Sequence, residues 1–114
     1  LPDLAVASAD LRLAPDPPSI NGGTFTVTVV VRNPGTAPAA AFQLRATATA
    51  NPPRTQVVGG LAAGASTIVV LAGFVTPGPV GSPGTVQVTA DPASLIQESN
   101  RSNNTGTRGF VSVR

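Results

Sequence analysis

No cysteine, histidine, methionine, tryptophan or tyrosine occurs in these 114 residues, and all seven basic side chains are arginine. The missing cysteines exclude disulfides and thiolate metal sites, so packing and hydrogen bonds must hold the fold; they do not fix a redox compartment. A nucleophile or base working near neutral pH is usually His, Cys, Lys or Tyr, or a Ser or Thr activated by one of them. None of those activators is available. The carboxylates are Asp3, Asp10, Asp16, Asp91 and Glu98, with Asp91 and Glu98 sharing one stretch. Such a pair can cleave a glycoside, but a sugar cleft needs aromatic platforms and the aromatics here are four Phe. The chain is therefore expected not to be an enzyme.

An isoelectric point of about 11.2 looks like a nucleic-acid signature and is not one. Nothing on a side chain titrates between the carboxylates and the arginines, and the net charge is only +2. Arg12, Arg32, Arg45, Arg54, Arg101, Arg108 and Arg114 are scattered along the chain without interleaved aromatics, which argues against DNA or RNA as partner. No apolar run approaches the ~20 residues of a membrane span, so no membrane insertion is expected. There is also no leader of charged, apolar and small residues, and an export signal for a secreted parent would lie outside this chain.

The chain does carry alternation. Leu4, Val6, Leu11 and Leu13 give a first strand with a slip around Ser8-Ala9, the mark of a kink or bulge. Asp16-Pro17-Pro18 ends it and Asn21-Gly22-Gly23 turns the chain. From Phe25 to Arg32, Phe25, Val27, Val29 and Val31 share one face of a strand dense in β-branched residues. Asn33-Pro34-Gly35-Thr36 is a tight turn, and proline interrupts the alanines 37–41 that would otherwise pass for helix. Phe42, Leu44, Ala46 and Ala48 mark a third strand and Arg54 to Leu61 a shorter fourth. In the fifth, Ser66 to Val75, the alternation puts Ile68, Val70, Ala72 and Phe74 on one side with Val69 and Leu71 on the other. A strand apolar on both faces is expected to be partly covered on its outer side or to meet a partner. Gly84 to Ala90 and Thr107 to Arg114 complete about seven strands. Short strands, turn signals every 8 to 12 residues and no convincing helix predict an all-β, antiparallel β-sandwich in two sheets, residues 1–114 forming a single domain.

Between the last two strands lies Asp91-Pro92-Ala93-Ser94-Leu95-Ile96-Gln97-Glu98-Ser99-Asn100-Arg101-Ser102-Asn103-Asn104-Thr105. Proline stops the ladder there, and the Asn side chains can bond neighbouring backbone and tolerate left-handed dihedrals. This stretch, with Pro2-Asp3-Leu4, Val31-Arg32-Asn33-Pro34-Gly35 and Leu61-Ala62-Ala63-Gly64-Ala65-Ser66, resembles the CARDB family of bacterial and archaeal modules, named as cell-adhesion related. The likeness spans essentially the whole chain in order. It implies an immunoglobulin-like sandwich, often in tandem within large secreted or surface proteins, with no catalytic residues. Its signature positions here are Asn33, Gly35, Leu61, Gly64, Asp91, Ile96, Glu98, Asn103 and Asn104. The family often has a second acidic residue where this chain has Arg101, which dilutes the acidic character of the stretch.

Two readings of the connection follow. In one, Asp91, Glu98, Asn100 and Asn103 gather oxygens for calcium, which takes six to eight hard oxygen ligands. In the other, Glu98 and the Asn residues tie the connection down through side-chain to backbone bonds, with Leu95 or Ile96 anchored in the core and no cofactor at all. Asn100-Arg101-Ser102 and Asn103-Asn104-Thr105 also match the N-glycosylation pattern, a coincidence in a bacterial protein. The functional expectation is a non-catalytic extracellular module of a bacterial or archaeal surface protein, cut from a larger polypeptide. It would act in adhesion, in protein interaction or as a spacer, its partners being unidentified surface proteins or its own flanking domains. The alternative is an accessory or carbohydrate-binding module of a secreted hydrolase, although the Trp or Tyr platform usual in such modules is missing.

Overall fold

The computed structural model describes residues 1–21, 23–92, 98 and 103–114. Leu95, Ile96, Asn100 and Arg101 lie outside the described residues. Among the described residues, seven strands and no helix are found: β1 (Ala5–Ala14), β2 (Thr24–Arg32), β3 (Phe42–Ala48), β4 (Arg54–Val58), β5 (Ser66–Val75), β6 (Pro83–Ala90) and β7 (Thr105–Val111). They form two antiparallel sheets, β1-β2-β5 and β4-β3-β6-β7, packed face to face as an immunoglobulin-like β-sandwich.

The alternating positions turn inward as expected. Val27, Val29, Val31, Leu44, Ala46, Val86 and Val88 are fully buried, and so nearly are all four phenylalanines. Phe25 sits between Phe74 and Phe110, with ring centroids 5.6 Å away in both cases, one pair stacked and the other edge-on. A Cβ at Gly84 would collide with the Phe110 ring, so the sheet beneath that ring has room for glycine alone. Small inward residues let the two sheets approach closely around few aromatics.

The slip read at Ser8-Ala9 is a register shift between Val6, opposite Val31, and Leu11, opposite Val29. Within it, Ser8 Oγ accepts the Thr107 N–H of the other sheet at 2.9 Å. Four expectations need correction. β4 stops at Val58, before Gly59-Gly60, and Leu61 instead makes an isolated antiparallel bridge to Ala39. β7 begins at Thr105 and ends at Val111, with only an isolated bridge at Val113 beyond it. Phe74 does not share a face with Ile68 and Val70. The β2–β5 ladder shifts register between Phe25, opposite Phe74, and Val27, opposite Leu71, with Gly73 at φ +83°. The extra residue of this bulge reverses the phase and carries Phe74 into the core beside Val69 and Leu71. The outer side of β5 is not partly covered: Ile68 is 67% and Val70 55% exposed.

The body measures 45 × 22 × 20 Å. Leu1 lies at the end where β2 finishes, its carbonyl accepting Thr36 N–H at 3.2 Å. Val113 lies at the other end, bridging Ser19 in the connection that follows β1.

Candidate functional site

The described residues among those singled out from sequence gather at the amino-terminal end of the sandwich, in two hydrogen-bonded clusters. The first centres on Asn33, which follows β2 and is 0% exposed. An asparagine side chain offers two donors and two acceptor lone pairs, and here all four are used. Oδ1 accepts Asp3 N–H at 3.0 Å and Gly35 N–H at 3.1 Å. Nδ2 donates to the Ala37 and Leu61 carbonyls, both at 3.0 Å. Its own backbone completes the lock, donating to Ala65 O at 2.9 Å and accepting from Gly64 N at 2.6 Å. Gly64 meets that geometry with φ +75°, a conformation open to glycine at little steric cost. Gly35 is needed for another reason, since a Cβ there would stand 2.6 Å from both Asp3 N and Leu1 O. Asn33, Gly35, Leu61 and Gly64 are thus one device, which fastens the first residues of the chain against two turns.

The second cluster uses Glu98. One carboxylate oxygen accepts Leu4 N–H at 2.7 Å and the other accepts Asn104 Nδ2 at 2.8 Å. Asn104, buried, also donates to Ala90 O at 3.3 Å, and its carbonyl accepts Ala90 N–H at 2.9 Å. The Asn103 carbonyl accepts Val6 N–H, and buried Asp91, at φ 49°, donates its N–H to Gln43 O at 2.7 Å. The β6–β7 connection is therefore tied to β1, β3 and β6 through described residues on both of its flanks. Adjacent peptide groups join the two clusters: Asp3 N–H points at Asn33 and Leu4 N–H at Glu98. The sequence motifs marked both clusters and Pro2-Asp3-Leu4 as well, but not that this segment joins the two.

Asp91, Glu98 and Asn103 share this end of the molecule, as the calcium reading requires, while Asn100 is outside the described residues. Among the described residues no three His, Cys, Asp or Glu stand close enough to share a metal ion. Among the described residues, buried Asp3 Oδ1, Asn103 Oδ1 and Asn104 Oδ1 meet no hydrogen-bond donor. Both Glu98 oxygens face N–H groups, as a clamp requires. No pocket opens among the described residues, and they contain no helix long and apolar enough to cross a membrane.

Comparison with solved structures finds the same fold. A CARDB domain of a Pyrococcus furiosus protein, crystallised in complex with di-metal ions, superposes with a TM-score of 0.77 at 19% identity, covering 98% of this chain and 89% of the other. A solution structure of a CARDB domain from the same organism gives 0.76 at 18% identity, covering 99% and 96%. A domain named after a cell surface protein of Methanosarcina acetivorans gives 0.76 at 25% identity, covering 100% and 94%. None of the curated proteins matches. The CARDB family model itself matches residues 1–108, from the segment held by Asn33 and Glu98 to Arg108 on β7, and the chain belongs to the CARDB family.

Proposed function

We propose that this chain is a non-catalytic extracellular module of a larger cell-surface or secreted protein, and that it spaces and presents its neighbours along one line. The observation that carries this is the placement of the two chain ends at opposite ends of a 45 Å body. Domains joined to those ends are held apart by the long dimension of the sandwich rather than folded back beside each other. The amino-terminal segment is locked into the body by the clusters around Asn33 and Glu98, so the direction of the incoming chain is fixed by part-buried hydrogen bonds at Asp3 and Leu4. Membership of an adhesion-related family and the likeness to a domain named after a cell surface protein support the extracellular setting.

The composition supports the absence of catalysis, with no His, Cys, Lys or Tyr to act as base or nucleophile. A carbohydrate-binding role finds no platform, because Phe25, Phe42, Phe74 and Phe110 all point into the core. The metal-bound Pyrococcus furiosus domain keeps calcium worth testing, but the Glu98 clamp supports a structural role for the connection.

Small-angle X-ray scattering of two copies joined head to tail tests the spacer reading. An extended pair with a maximum dimension approaching twice the 45 Å length is expected. A compact pair no longer than one domain would defeat it.

A further inference from the structure

Four strands border the open sides of the two sheets, β1 and β5 in one, β4 and β7 in the other. Exposed strand edges invite pairing with other chains unless they are blunted. β1 and β7 are laced to each other by Thr107 N–H on Ser8 Oγ and by Arg108 Nη1 on Leu11 O at 3.1 Å. β4 is only five residues long and starts with a charge at Arg54. The far end of β5 is also blunted. The Asn51 side chain pairs with Val75 N–H at 2.8 Å and Val75 O at 2.9 Å, and Arg54 Nη2 caps Gly73 O at 2.8 Å beside the bulge.

The first part of β5 has no such cover. Among the described residues no hydrogen bond reaches the outer edge of the stretch from Ser66 to Leu71. Asn33 N–H donates to Ala65 O, which fixes the phase of the ladder between β2 and β5. Because bonded and non-bonded pairs alternate, Thr67, Val69 and Leu71 bond to β2 while Ser66, Ile68 and Val70 turn their N–H and C=O groups to the open side. The same Ile68 and Val70 stand exposed on the outer face. No charged residue occurs anywhere from 55 to 90, so nothing on this stretch repels a second copy of itself.

We propose that two copies of this chain pair through β5, antiparallel about a two-fold axis at Val69, with Ile68 facing Val70 of the second copy. This register sets outward backbone groups against outward backbone groups on both chains, as an isologous contact demands. It lays Ile68 and Val70 of the two chains side by side as cross-strand apolar pairs. Two three-stranded sheets become one sheet of six. Arg54 and the Gly73 bulge end the pairing, so the contact is shorter than a standard interface of roughly 800 Å² per partner. The dimer is accordingly weak and concentration-dependent.

Sedimentation velocity from micromolar to near-millimolar concentration tests this. The native chain is expected to rise from 11.3 kDa toward twice that mass. Val70→Pro removes an N–H that no strand of the monomer uses and should weaken association at least tenfold. Val70→Lys, whose charge stays on the solvent face, should do the same if the proline variant fails to fold, with circular dichroism reporting folding in each. A native chain that remains monomeric throughout would overturn the proposal and leave the edge to a strand of another protein. Undiminished association of the folded lysine variant would also overturn it.

Discussion

Two asparagines do nearly the same work at the two ends of this sandwich. Asn33 at the amino-terminal end binds two N–H groups and two carbonyls through its side chain. Asn51 at the other end binds one N–H and two carbonyls, bracketing Val75 as a neighbouring strand would. They differ in access to water. Asn33 is fully buried and Asn51 half-buried. Solvent can replace the partners of the second, whose bonds are exposed, while those of the first are part-buried or, to Leu61 O, fully buried, and a buried polar group left unmatched costs far more than a bond exchanged for water. The comparison teaches that the amino-terminal end is fixed from inside, while the carboxy-terminal end is held largely by turns and backbone pairs such as Ile20 N–H to Val113 O and Gly81 N–H to Ser112 O.

The contrast can be broken by substitution. Asn33→Ala strands two donors and two acceptors and should lower unfolding stability by about 3 kcal/mol or more, read from urea unfolding. A loss below about 1 kcal/mol would mean that water enters the cluster and that burial is not what sets the two ends apart. Asn51→Ala should cost only about 0.5–1 kcal/mol in the same assay, because its partners can be rehydrated. A cost matching that of Asn33→Ala would erase the distinction. The smallest effect is expected from metal. Melting with calcium, without it and with EDTA should give one midpoint, since the Glu98 oxygens already accept Leu4 and Asn104. Calcium at ~100 times its dissociation constant would add about 2.7 kcal/mol if a site existed, so an EDTA-reversible rise of several degrees would make the amino-terminal end a metal site.

Much of this fold was legible because Phe, Val, Leu and Ala alternate so regularly in β2, β3 and β6. Alternation fails where backbone register changes. Alternation alone puts Phe74 on the wrong face because the bulge at Gly73 inserts a residue, and the warning is the glycine itself, in the interior of a strand rich in β-branched residues. The Asn33 cluster was visible as separate motifs but not as one object. Asp3, Asn33 and Leu61 are far apart in the chain, and nothing local in the sequence shows that one side chain serves all three. The link from Leu4 to Glu98 spans 94 positions and is a product of topology. Val70 looked like a residue to be covered, and its exposure follows from β5 lying at the edge of a sheet that no other strand completes.

β1 and β7 both run from the end that holds Leu1 toward the end that holds Val113, each hydrogen-bonded along its length to an antiparallel neighbour. A pull applied between the two ends of the chain therefore acts along these strands and loads their ladders in shear, many bonds sharing the force at once instead of parting one by one. The clamps at Asn33 and Glu98 stand first in that line of force, which gives a buried amide and a half-buried carboxylate near the first residues a mechanical part to play.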